Sequence, residues 1–306
     1  MLRRSLLRAL PLLALGASSS LRVAHAKDET AKADGRTFSY RLESAPYPTK
    51  DGTYTDSTVL VFVPSFLRAR EDARTDFVVH FHGHNTTAEA ALAGHKLREQ
   101  LSASRQNAIR VVPQGPVRAA DGEFGKLMDK GGLRRLLGEV IARLRKEELG
   151  RAGLAKKAHP GRVVVSAHSG GYRAAARVGL VGGVSVREIY LFDAMYGEKE
   201  SFKSFVTGKS DRKLVSYYVG GRPRELSLAL ADDLASTKVK VLREKDGSRL
   251  TRSDLVRGRA IFLEGRASHG TATFEEQALR DCLFASCLEG RGSEAWHAEK
   301  NKERSS

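Results

Sequence analysis

Residues 162–172 read Arg162-Val163-Val164-Val165-Ser166-Ala167-His168-Ser169-Gly170-Gly171-Tyr172. Three successive β-branched residues do not alternate polar with apolar. Both faces of this strand are therefore expected to be covered, as at the centre of a parallel sheet. The run ends at Ser-Gly-Gly, and Arg173-Ala174-Ala175-Ala176-Arg177-Val178 continues it as a helix. The order is buried strand, sharp turn, helix, with Ser169 in the turn. Ala167 and Gly171, two positions to either side of the serine, are small enough for neighbouring backbone to come close. A helix starting behind Ser169 also aims N–H groups at a place where negative charge can develop.

Working outward, short β-branched runs alternate with helical stretches. Strands are expected at 37–42, 59–63, 77–81, 109–112, 162–166, 188–192, 214–219 and 260–263, with 238–242 either a further strand or the end of a helix. Helical periodicity is clearest at 133–149, where Leu136, Leu137, Val140, Ile141 and Leu144 share one face; 86–101 and 271–288 read similarly. This alternation predicts an α/β fold, a mostly parallel central sheet of about eight strands flanked by helices. Only 194–213 leaves room for a cap, a small one, and 116–132 is a glycine-rich loop over the same edge.

The strand–Ser169–helix turn resembles the nucleophile elbow of the α/β-hydrolase superfamily, whose pattern is G-x-S-x-G; here Ala167 stands for the first glycine. Two further stretches match that family in order. Upstream, Phe77-Val-Val-His-Phe-His-Gly-His-Asn85 resembles the His-Gly loop after the third strand. There a backbone N–H completes the oxyanion hole with the N–H of the residue after the nucleophile. The resemblance assigns these donors to Gly170 and to His84 or Asn85. Downstream, Ala260-Ile-Phe-Leu-Glu-Gly-Arg-Ala-Ser-His-Gly270 is a strand followed by a loop histidine, and it places His269 as general base, one hundred residues after the serine. Asp193, at the C-terminal end of strand 188–192, is the preferred acid because open α/β sheets build their sites at that edge; Glu225, after the next strand, is the runner-up. Lys126 and Tyr172 are candidate substrate contacts. The family implies a serine esterase, lipase-like or peptidase-like enzyme working without a cofactor.

Two other readings stand beside this one. His80, His82 and His84 alternate, so on a continued strand all three would share a face and could bind zinc. Against that, Asn85 stands where the metallo-β-lactamase motif has an aspartate. The second alternative is a catalytically inactive, basic, envelope-binding module on the same fold.

The N-terminus reads as an export signal over 1–26: Arg3, Arg4 and Arg8, an apolar run from Ala9 to Ala17, then Ala24-His25-Ala26 for cleavage. Its arginine pair also resembles a twin-arginine signal, with Leu2 where Ser or Thr is usual. A secreted or periplasmic protein is expected, with a polar lead-in at 27–36, a hydrolase domain over 37–289 and a charged tail at 290–306. Loss of 1–26 removes four arginines and no acids, so the formal charge of +16 falls to +12. Such a charge favours polyanionic envelope polymers as partners. No arginine stripe interleaved with aromatics suggests specific nucleic-acid reading, and no apolar run approaches the ~20 residues of a membrane span. Export permits a disulfide between Cys282 and Cys287. Five helical residues rise about 7.5 Å, beyond the ~7 Å limit for a bridge, so bridging requires the helix to end between them.

Overall fold

The structure, a computed structural model, describes residues 33–50, 52–119, 122–149, 152–244 and 250–291. The export signal, most of the lead-in and the tail beyond Arg291 lie outside the described residues. In chain order the elements are β1 (Gly35–Arg41), β2 (Thr58–Pro64), β3 (Arg74–Phe81), α1 (Ala88–Gly94), α2 (Leu97–Ser104), β4 (Ala108–Pro113), α3 (Gly132–Leu144), β5 (His159–His168), α4 (Tyr172–Val181), β6 (Ser185–Phe192), α5 (Lys199–Gly208), β7 (Lys213–Tyr218), α6 (Gly221–Ala235), β8 (Val241–Arg243), α7 (Arg252–Arg257), β9 (Ala260–Glu264) and α8 (Ala278–Phe284).

The strands form one sheet in the order β1-β2-β4-β3-β5-β6-β7-β9-β8. β1–β2 and β2–β4 are antiparallel, and every later pair is parallel. The ninth strand is β8, the short segment that the sequence leaves open between strand and helix end. β5 lies near the middle, and Val163, Val164 and Val165 are all fully buried. Val163 and Val165 join the core shared with α3, α4, α5 and α6, while Val164 joins the one beneath α1, α2, α7 and α8. Covering both faces explains the missing alternation. Each such valine contributes about 1.5–3 kcal/mol by leaving water.

The start of β5 is pinned to β3. Arg162 donates through Nε and Nη2 to the buried Asp76 carboxylate at 3.0 and 2.7 Å, and its backbone N–H donates to the same group at 2.8 Å. That fork fixes the register which carries the far end of β5 to the site.

Several boundaries differ from expectation. The stretch 86–101 is two helices, because Lys96 takes a left-handed conformation between α1 and α2. The stretch 271–288 is a 3-10 turn (Glu275–Gln277) followed by the short α8, with Glu276 and Gln277 left-handed. The room for a cap at 194–213 holds α5, which buries Phe202, Phe205 and Val206 against the sheet core and flanks it instead. β1 begins two residues before 37, and Gly290 makes an antiparallel bridge to Gln106. α8 does end between the two cysteines, yet Cys282 and Cys287 are both free thiols.

Candidate active site

The site forms at the C-terminal ends of β3, β5 and β6 with the loops after β7 and β9. Ser169 follows the last residue of β5 with φ +50°, a conformation L residues avoid, and leads through a 3-10 turn (Ser169–Gly171) into α4. Such strain persists only where surroundings impose it, and here glycines let them do so. A Cβ on Gly171 would lie 2.4 Å from the Phe81 carbonyl oxygen, and one on Gly83 would lie 2.7 Å from Ser169 Cβ. Only hydrogen fits at either position, so the loop after β3 rests directly on the serine.

His269 stands on the loop after β9, its side chain 46% exposed. Its Nε2 lies 3.0 Å from Ser169 Oγ, and its Nδ1 lies 2.6 Å from Asp193 Oδ2. A carboxylate can only accept, so Nδ1 carries the proton and Nε2 presents its lone pair to the serine hydroxyl. Asp193 is 3% exposed and sits just past β6 with φ +45°. Its Oδ1 accepts from Val219 N–H at 3.0 Å, and its own N–H donates to the Tyr217 carbonyl at 2.7 Å. The carboxylate is therefore held from two sides before it meets the imidazole. Glu225, the alternative acid, is exposed on α6 and makes no bond to His269 among the described residues.

Of the expected oxyanion donors, Asn85 is spoken for. It adopts φ +54° and its N–H donates to the Val117 carbonyl at 2.7 Å. The amides of His84 and Gly170 have no backbone acceptor among the described residues. Gly122 folds over the same turn, and a Cβ there would meet the Gly170 carbonyl oxygen at 2.1 Å. Lys126 does not face the serine: its ammonium donates to the Glu43 carbonyl and ties the 116–132 loop to the segment after β1. Tyr172 is half-buried at the start of α4, with its ring 6.3 Å from Tyr196, whose ring lies edge-on 6.4 Å from His269. These three rings make one wall.

The three alternating histidines do not converge on a metal. β3 ends at Phe81, so alternation stops before His84, which is exposed. His82 donates from Nδ1 to the Gly83 carbonyl at 2.9 Å and accepts Gly115 N–H at Nε2, 2.8 Å away, so it fastens the loop after β3 to the loop after β4. His80 Nδ1 pairs with Ser166 Oγ at 2.9 Å. Among the described residues no group of three or more His, Cys, Asp or Glu is arranged to hold a metal ion.

One feature was not legible beforehand. Behind His269 runs a row of imidazoles, His168, His95 and His80, with successive ring centroids 4.7, 4.6 and 5.4 Å apart. His168 Nε2 donates to the backbone carbonyl of His269 at 2.7 Å, so the residue preceding the serine also anchors the histidine loop. Burial pushes His168 down to about 4 and His95 to about 3, and holds His80 well below its ordinary value. All three are neutral near pH 7. Beneath them the fully buried Arg110 guanidinium lies 3.5 Å from Ser166 Oγ, and burial lowers its pKa to about 9.

No family model matches the sequence, and no curated protein is similar to it. Solved structures are. A mutant of the feruloyl esterase module from Clostridium thermocellum, solved with sinapinate, aligns with a TM-score of 0.51 at 13% identity, over 84% of this chain and 91% of that one. An S-formylglutathione hydrolase from Agrobacterium tumefaciens aligns at 12% identity and a TM-score of 0.46, over 88% and 96%. The enterobactin esterase from Shigella flexneri aligns at 10% and 0.48, over 83% and 60%. Taken with the nine-stranded, mostly parallel sheet and the serine turn after β5, the Clostridium module shows the architecture: this chain has the α/β-hydrolase fold.

Proposed function

We propose that this protein is an exported serine hydrolase that cleaves a carboxylic ester through an acyl-enzyme. The observation that carries the reading is the line Asp193 Oδ2–His269–Ser169 Oγ, with steps of 2.6 and 3.0 Å, on an otherwise strained turn. In the reaction, His269 Nε2 takes the hydroxyl proton as Ser169 Oγ attacks the acyl carbonyl. Asp193 holds the Nδ1–H tautomer and stabilises the imidazolium that forms. The amides of Gly170 and His84 face the oxyanion. The imidazolium then protonates the leaving alkoxide. Water, deprotonated by the same nitrogen, releases the acid and restores the serine.

An ester is preferred to an amide because no specificity pocket for a peptide side chain is legible in the sequence. The likeness to a feruloyl esterase module supports the same choice. Export to the periplasm or beyond rests on the N-terminal arginines, apolar run and Ala24-His25-Ala26. Among the described residues no helix is long and apolar enough to cross a membrane.

The test is turnover of a p-nitrophenyl ester series. Ser169→Ala is expected to fold as the parent does and to lose about 10³–10⁶ in turnover. Retention of more than about a tenth of the activity would remove Ser169 from the nucleophile role.

A further inference from the structure

The opposite edge of the sheet carries a feature that the chemistry at Ser169 does not use. Two adjoining grooves, with volumes of 450 and 710 Å³, open at the N-terminal ends of β3, β5 and β6 and share Arg134 and Gly183. Six cations line them, Lys130, Arg134, Arg74, Arg162, Arg187 and Lys209, and no carboxylate does. Carboxylates behind the walls compensate three of the six: Asp72 pairs with Arg74, Asp76 with Arg162 and Asp211 with Arg187, at 2.9, 2.7 and 2.6 Å. Asp129, nearby, lies 3.9 Å from Arg135, outside the lining. Lys130, Arg134 and Lys209 are exposed and have no acidic partner among the described residues. The groove therefore keeps an uncompensated charge of about three, concentrated where field lines from a concave wall reinforce one another.

We propose that this groove binds an acidic polysaccharide, whose carboxylate or sulfate groups are held by Lys130, Arg134 and Lys209. Leu180 lines the same channel and is one of two large apolar side chains exposed among the described residues, which offers a surface for the apolar face of a sugar ring. No aromatic ring other than the His159 imidazole lines either groove, so the stacking platform that single-stranded nucleic acid needs is missing. The position also bears on use. β5 runs from the groove to the serine, and ten extended residues span about 30 Å. A polymer held there leaves Ser169 open and raises the local concentration of any ester carried elsewhere on the same polymer.

The experiment titrates the protein against fluorescein-labelled heparin, polygalacturonate and duplex DNA between about 50 and 200 mM salt. Lys130→Glu, Arg134→Glu and Lys209→Glu combined should weaken polysaccharide binding at least about tenfold and flatten the salt slope by about three. A matched reversal of exposed lysines elsewhere, Lys50→Glu, Lys238→Glu and Lys240→Glu, should change affinity less than about twofold. Both variants should keep p-nitrophenyl ester turnover. If the groove variant misfolds, Arg134→Gln alone should still reduce the slope by about one. Equal weakening by the two reversals, no polysaccharide binding at the lowest salt, or DNA bound as tightly and lost with the same three cations would each overturn the proposal.

Discussion

Asp193→Asn is the substitution whose outcome the geometry specifies most closely. The carboxylate accepts twice, from His269 Nδ1–H and from Val219 N–H. Asparagine offers one accepting oxygen and one donating NH₂. If the oxygen stays on Val219, the NH₂ faces His269 Nδ1, which must then be unprotonated. The imidazole proton moves to Nε2, points at Ser169 Oγ, and blocks removal of the serine proton. If the amide is reversed, two donors meet at Val219 in a nearly solvent-free place, at a cost of about 1–3 kcal/mol. The first arrangement is cheaper, so the wrong tautomer dominates. The loss should be about 10³–10⁴ in kcat, or about 4–5.5 kcal/mol of barrier. KM should hold within about threefold, because the lost interaction belongs to the transition state. Steady-state kinetics on p-nitrophenyl butyrate, with circular dichroism as the folding check, measures both. A loss below about tenfold in a folded variant, or a larger loss from Glu225→Gln, would refute the assignment of the acid.

Other outcomes follow from the same geometry. Gly83→Ala forces a methyl to within 2.7 Å of Ser169 Cβ, so the variant should lose at least about tenfold in kcat by displacing the oxyanion loop; unchanged kcat would show that the loop is not seated on the serine. The buried histidines are neutral when folded and protonate near pH 6.5 when unfolded, so the unfolded state gains protons first as pH falls. Stability is therefore full above about 6.5 and declines toward the folded values of about 4 and 3, by up to about 1.4 kcal/mol per pH unit for each histidine. Thermal melts at about pH 7, 5.5 and 4.5 should show that decline, and a flat Tm would contradict the burial of the row. Dialysis against a strong chelator should leave ester turnover unchanged; loss restored by zinc would return His80, His82 and His84 to a metal role.

The elbow was legible because its determinants are local. A doubly apolar strand, small residues at Ala167 and Gly171, and a following alanine-rich helix specify it within seventeen residues. Asp193 was legible through its position just past a strand expected at the site edge, and His269 through the resemblance of the loop after the last strand. Features that depend on packing were hidden. The break at Lys96 is a left-handed residue that no periodicity marks, and a histidine beside the serine looks like a free position of the motif until its Nε2 is seen on the His269 carbonyl. The resemblance offers Asn85 as a donor, but its amide is claimed by Val117 on a loop more than thirty residues away. α6 carries a local signal of its own: Leu230 and Leu234 lie one turn apart and are both buried, with Pro223 in the first turn.

The most direct measurement of the central claim is intact-protein mass spectrometry after exposure to a fluorophosphonate probe, followed by peptide mapping. A nucleophile aligned with His269 at 3.0 Å should form one adduct, on the peptide bearing Ser169, and Ser169→Ala should abolish it. Labelling that persists in Ser169→Ala, or ester turnover in a protein that takes up no probe, would contradict the account.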